Sequence, residues 1–265
     1  MKRLFKVVIM LLVSLMLVCC GNKEEEVPVE NDSDIAYIQE KGVLVVGITD
    51  FAPMDFKEDG EWTGFDAEIA RKVAADLGVD IEFVEIEWDN KIFELDNKSI
   101  DCVWNGMTLT DEVKAAMETG KAYCNNSQVV VMNGEKLAEI TDIEGFKDLQ
   151  FAVEAGSAGE AAAKENGFSY VAVNSQADTL LEVSAGTCDA AIIDLLMASA
   201  MTGEGKSYSD LAFGFRLTDE EYGVGCRKGS DLIAFINDEF KKFDDDGTLY
   251  SIAERFGIEE LLVAQ

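Results

Sequence analysis

The residues whose types and spacing could do chemistry fall in three places. Between Ile100 and Lys114 the chain reads I-D-C-V-W-N-G-M-T-L-T-D-E-V-K. Cys102 to Trp104 is a short β-branched and aromatic run that predicts a buried strand, and Asn105-Gly106 stops it. Thr108 and Thr110 then supply hydroxyls, and Thr110-Asp111-Glu112 has the side-chain oxygens that begin a helix. The other two places are Glu154 and Asp194, which stand at the ends of the apolar runs beginning at Phe151 and Ala190. Amides, hydroxyls and carboxylates at strand ends suit a small polar solute, because open α/β sheets bind ligands where a strand gives way to a loop. The stretch from Ile100 to Lys114 is therefore expected to form one wall of a ligand cleft.

The elements that must position these groups alternate between strand and helix. Val43 to Ile48 predicts a buried strand, and Asp59-Gly60 a turn within a hairpin. Asp66 to Leu77 predicts a helix: Phe65, Ile69, Val73 and Leu77 recur every fourth residue, Ala70 and Ala74 lie beside them, and Gly78 ends the pattern. Ile81 to Ile86 is the next strand, which completes a βαβ unit. The pattern repeats with a strand at Phe151 to Glu154, a helix at Ala158 to Glu165, a strand at Tyr170 to Val173, a helix at Ala177 to Ala185 and a strand at Ala190 to Ile193. Two similar α/β lobes are indicated. Crossovers between them are expected at Gln128 to Met132 and at Tyr222 to Arg227, with a helix from Ser230 to Phe243 returning to the first lobe. This assigns residues 35–126 and 225–265 to lobe 1 and residues 127–224 to lobe 2.

Composition removes whole classes of function. The chain has 265 residues, 48% of them hydrophobic, enough for one or two packed domains. Its 52 acidic residues outweigh 22 basic ones for a net charge of -30, which repels a polyanion and excludes nucleic acid as a partner. There is no histidine, so the commonest general base and the commonest metal ligand are both missing. Cys102, Cys124, Cys188 and Cys226 show no C-x-x-C spacing; they are expected to be buried thiols, with Cys102 and Cys188 in strands. No cofactor or metal site is expected. Gly203-Glu204-Gly205-Lys206-Ser207 imitates the end of a phosphate-binding loop, but Ala200 stands where its first glycine belongs. Asp244-Asp245-Asp246-Gly247 has the flavour of a calcium loop but lacks its ligand spacing.

At the start, Lys2, Arg3 and Lys6 precede an apolar run from Val7 to Val18, too short for the ~20 residues of a membrane span and suited to an export signal over residues 1–19. Leu17-Val18-Cys19-Cys20 resembles a bacterial lipobox, which implies a lipid on Cys20; Cys19 departs from the small residue usual there. Residues 20–34 are acidic, lack apolar periodicity and read as a tether. A lipid anchor in place of a periplasm implies an extracytoplasmic, membrane-attached protein of a Gram-positive bacterium.

Several segments together resemble the polar amino-acid substrate-binding proteins of ABC importers, solute-binding protein family 3. They are Leu44-Val45-Val46-Gly47, Phe51-Ala52-Pro53-Met54-Asp55-Phe56, Gly64-Phe65-Asp66, Trp88-Asp89, Asn105 to Thr110, Ala155-Gly156-Ser157, Tyr222-Gly223-Val224 and Asp246-Gly247-Thr248-Leu249. The likeness runs from Ile35 to Gly257 in the family's order and spacing. It implies the type II periplasmic-binding-protein fold, two Rossmann-like lobes joined by two crossover strands. It also implies a monomeric receptor that closes on an amino acid and delivers it to a membrane permease. Carried over by position, Phe51 and Trp88 flank the ligand's side chain; Asn105, Gly106, Met107 and Thr108 form the loop that holds its carboxylate. Ser157 opposes them from the second lobe at a helix start, and Asp194 receives its ammonium.

One position departs from the family. An arginine normally follows the Thr-x-Thr segment and grips the carboxylate with two parallel hydrogen bonds; here that position is Val113, and the neighbouring Lys114 offers only a point charge. Glu154 and Asp194 with Phe51, Trp88 and Trp104 nearby suit a cation. The expected ligand is an ammonium-bearing solute: a polar or cationic amino acid first, a non-amino-acid amine or quaternary ammonium second. Two other readings are an enzyme resembling the cyclohexadienyl dehydratases, with Glu154 or Asp194 as general acid, and a sensory module followed by a membrane span and signalling domain.

Overall fold

The computed structural model describes residues 33–265. The expected signal at 1–19, the lipid-bearing Cys20 and the tether as far as residue 32 lie outside the described residues. Ser33 and Asp34, assigned to the tether, instead begin folded chain. Ser33 caps helix α1 (Asp34–Lys41) through its hydroxyl, and Arg227 holds Asp34 with two nitrogens at 2.9 and 3.1 Å.

Two sheets carry the fold. The first lobe is built from β1 (Val43–Ile48), the hairpin β2 (Phe56–Glu58) and β3 (Glu61–Thr63), α2 (Phe65–Leu77), β4 (Asp80–Glu85), α3 (Lys91–Asp96), β5 (Cys102–Val103), α4 (Asp111–Ala116) and β6 (Glu118–Thr119). The crossover β7 (Cys124–Asn126) leads to β8 (Gln128–Asn133), α5 (Gly134–Leu137), β9 (Gln150–Glu154), α6 (Ala158–Asn166), β10 (Ser169–Val173), α7 (Gln176–Ala185), β11 (Ala190–Asp194), α8 (Leu195–Met201) and β12 (Leu211–Arg216). The chain returns through β13 (Glu220–Tyr222) to β14 (Gly225–Cys226), α9 (Leu232–Asp245) and α10 (Thr248–Phe256).

The strand orders are β4-β1-β5-β14-β6 and β10-β9-β11-β8-β12. Each sheet has three parallel strands, then one strand antiparallel to them and an edge strand antiparallel to that one. The parallel strands β1 and β11 are buried along almost their whole length, as strands covered by helices on both faces must be. Parallel pairing through βα units brings the carboxyl ends of β1, β5, β9 and β11 to loops, and those loops carry the candidate residues.

The crossovers differ from expectation. Gln128 to Met132 is a central strand of the second sheet, and Gly225–Cys226 belongs to the first. The connection is made by β7 against β13, paired antiparallel with Tyr222 opposite Cys124 and Glu220 opposite Asn126. These segments escaped notice because they are short and polar, without the apolar run that marks a strand. All four described cysteines are buried and unpaired; Cys188 sits in the turn before β11, not in a strand. Trp104 is wholly buried against Phe240 of α9, ring centres 5.5 Å apart, and does not line the cleft. Among the described residues, no helix is long and apolar enough to cross a membrane.

Candidate ligand-binding site

A cavity of about 580 Å³ lies between the strand-end loops of the two lobes, a size suited to a small molecule. Phe51, Trp88, Asn105, Gly106, Met107, Thr108, Glu154, Ser157 and Asp194 all line it. The chain thus brings these nine residues together from five separate loops; Trp104, expected beside them, is not among them.

On the first lobe's face the polar groups are largely committed inward. The Asn105 side-chain oxygen accepts from the Thr49 N–H at 2.8 Å and from the Thr49 hydroxyl at 2.7 Å. Its amide donates to the Thr49 carbonyl at 3.2 Å and to Asp55 at 2.8 Å. A carboxamide makes four such bonds, so Asn105 shapes the loop and has no capacity left for a solute. The Gly106 N–H donates to Asp66 at 2.6 Å, and the same oxygen accepts from the Tyr123 hydroxyl at 2.7 Å. Gly106 has φ +53°, and a Cβ there would lie 2.5 Å from the Phe51 ring, so only glycine lets the loop close over that ring. Phe51 in turn meets Tyr222 edge to face, centroids 6.2 Å apart. Burial pushes the Asp66 carboxyl up to about 7, against the hydrogen bonds from Gly106 and Tyr123.

The second lobe contributes the charge. Ser157 caps α6, its oxygen accepting from the Glu160 N–H at 3.1 Å. Asp194 occupies the residue before α8, yet it does not cap that helix; it is buried and turned toward the crossovers. It accepts from the Tyr222 hydroxyl at 2.6 Å, from Gln128 at 3.1 Å, and from Asn126 and Gln176. Asn126 and Gln128 also donate to Glu220 at 3.2 and 3.0 Å, and Glu220 accepts from the Thr108 hydroxyl at 3.0 Å. One polar network therefore joins both crossover strands, the second sheet and the loop after β5. Burial first, then the charge of Glu220, raises Asp194 to about 7.

Glu154 is 2% exposed, and its Oε1 has no hydrogen-bond partner among the described residues. Burial, then the neighbouring Asp194, pushes its carboxyl up to about 8. Lys91, from the first lobe, lies across the cleft mouth. Its ammonium donates to the carbonyls of Trp88 at 3.1 Å and Gly156 at 3.0 Å and sits 4.9 Å from the Trp88 ring centre. Burial lowers its pKa. Gly156 has φ +69°, and a Cβ on it would fall 2.6 Å from the Asp89 carboxylate of the facing lobe. The two lobes are in contact here.

Residues 44–259, the span that holds this cavity, match the bacterial extracellular solute-binding proteins, family 3. The chain belongs to that family. It is 30% identical over 226 residues to the L-cystine-binding protein TcyJ of Escherichia coli K12, covering 83% of this chain and 84% of TcyJ. It is 30% identical over 271 residues to the glutamine-binding protein GlnH of Bacillus subtilis, covering 97% of each. Among solved structures, a mutant of ArgBP from T. maritima superposes with a TM-score of 0.79 at 30% identity, covering 84% of this chain and 99% of that one.

Within this family 3 protein, several site residues went unread in the sequence. Lys91, Asn126, Gln128, Gln176 and Glu220 lie in no motif, and their importance comes from partners 18 to 112 positions away. Gln128 alone carries a local signal, as the polar residue that opens the apolar run Val129 to Met132. Val113 lines the cavity where the arginine was expected, and among the described residues no arginine lines it.

Proposed function

We propose that this chain is the extracytoplasmic receptor of an ABC importer, closing two lobes on an amino acid and presenting it to a membrane permease. The lobes divide at 126/127 and at 224/225, next to the paired crossover strands. Cys20 carries the lipid that holds the receptor at the membrane, and the receptor acts as a monomer. The reading is carried by one observation: in a chain of this family, a cavity of about 580 Å³ collects residues from both lobes with opposite faces in contact. Relatives described as cystine-, glutamine- and arginine-binding proteins support an amino acid as the solute. The cleft carboxylates bind; the chain is assigned no catalytic role.

A second reading is favoured by Val113. Both lysines at the cavity are engaged, Lys91 by two carbonyls and Lys164 by Glu160 at 2.9 Å, so no arginine and no unengaged lysine faces an α-carboxylate. An amine without a carboxylate satisfies such a site too. Thermal unfolding of the purified chain against single amino acids, amines and quaternary ammonium compounds separates the two. A ligand at 100 times its Kd adds about 2.7 kcal/mol to the folded state. One amino acid standing out supports the first reading, a response to amines alone the second, and silence from both classes contradicts the assignment.

A further inference from the structure

Resting on the receptor reading, the two acids of the second lobe can be given separate roles. Asp194 is surrounded: side chains from both crossovers, from β8 and from α7 already donate to its two oxygens. Glu154, at the end of the neighbouring strand, lines the same cavity, and its buried Oε1 has no hydrogen-bond partner among the described residues. A buried acceptor without a donor is costly, and an ionised one more so, unless a ligand completes it.

We propose that Glu154 is the specificity-determining residue of the cleft: its unpartnered oxygen receives a cationic head of the solute, an ammonium or guanidinium, while Asp194 is a positioning residue that braces the crossovers. A neutral donor would satisfy the hydrogen bond, but it would leave the other carboxylates of the lining uncompensated. Seven carboxylates and two lysines line the cavity, and neither lysine forms an ion pair with Glu154. The excess negative charge calls for a ligand whose cationic groups outnumber its anionic ones.

The charged groups facing Glu154 are Asp194 of β11 and Asp178 of α7, which raise its pKa, and Lys91 of α3, which lowers it; the Gln176 backbone N–H also favours the ionised form. With its carboxyl near 8, Glu154 is protonated at pH 7 in the empty cleft. A bound cation favours the carboxylate, so the proton on Glu154 leaves to solvent as the cation enters. Binding should therefore release close to one proton at pH 7 and strengthen as pH rises toward 8.

Isothermal titration of the full chain with L-arginine, L-lysine, 1,4-diaminobutane, L-glutamine and L-glutamate, in buffers of different ionisation enthalpy, reads both affinity and proton release. The expected result is preference for the cationic members and a released proton that disappears in Glu154→Gln, with affinity for the preferred cation falling roughly 30-fold or more. Thermal unfolding of Glu154→Gln checks that the variant is folded, and the wild-type proton count stands without it. Equal or tighter binding of glutamine or glutamate would overturn the role of Glu154 and leave the receptor reading intact. So would a folded Glu154→Gln that holds arginine unchanged. Absence of binding by every amino acid and amine would overturn both.

Discussion

Each lobe buries a pair of carboxylates beside the cleft, and the two pairs are used differently. In the first lobe Asp55 and Asp66 stand behind the loop after β5, outside the cavity lining, and hold Asn105, the Gly106 N–H and Tyr123. In the second lobe Glu154 and Asp194 form the cavity wall itself. The likeness is close: Asp66 accepts a tyrosine hydroxyl at 2.7 Å and Asp194 another at 2.6 Å, from Tyr123 and Tyr222 on either side of the crossovers. Burial raises all four carboxyls. The same chemistry thus builds a rigid loop on one side and a charged receptor surface on the other. What separates the roles is which pair faces the cavity.

The sharpest way to break this comparison is to delete one aspartate from each pair. Asp194→Ala strands four donors on four elements and should lower the unfolding free energy by about 3–5 kcal/mol. Asp66→Ala strands an N–H and a hydroxyl and should cost about 2–3 kcal/mol. Denaturant titration at pH 7 checks both, and a larger loss from Asp66→Ala would reverse the ranking.

Both pairs also set a pH dependence. Asp66, Asp194 and Glu154 are raised to about 7, 7 and 8, so between pH 4 and pH 8 the folded state binds more protons than the unfolded chain. Their contribution to stability is present in full below the unfolded carboxylate range and is lost as pH rises through the folded values. The ligand-free chain should be less stable at pH 8 than at pH 5 by several kcal/mol, read from unfolding free energies at the two pH values. Glu154→Gln should flatten part of that slope.

Two smaller changes test the contact between the faces. In Gly156→Ala the new methyl meets Asp89 and the backbone is strained at φ +69°, so ligand affinity should fall about tenfold, roughly 1.4 kcal/mol. Lys91→Met removes the ammonium from the Gly156 carbonyl and should speed ligand dissociation by about fivefold, near 1 kcal/mol, measurable by stopped-flow displacement.

Much of this architecture is legible in the sequence because it rests on local signals. The four-residue recurrence from Phe65 to Leu77 gives α2 within one residue of its observed start, and the apolar runs ending at Glu154 and Asp194 give β9 and β11 with their acids in place. Asn105-Gly106 marks the end of the strand and the cavity loop together. What stayed illegible is pairing at a distance. Nothing in Asn105 says that Thr49 and Asp55 take up its amide, and nothing in Lys91 says that its target is a carbonyl 65 residues away. Trp104 looks like a cleft aromatic because it adjoins Asn105, but its ring is wholly buried in the core against Phe240.

The most direct test follows tryptophan emission during titration of the full chain with L-arginine. Of Trp62, Trp88 and Trp104, only Trp88 lines the cavity. A solute closing the two lobes around itself should give a saturable change that weakens below pH 7 and vanishes in Trp88→Phe. A change that persists in Trp88→Phe, or no saturable change with any amino acid or amine, would contradict binding between these faces.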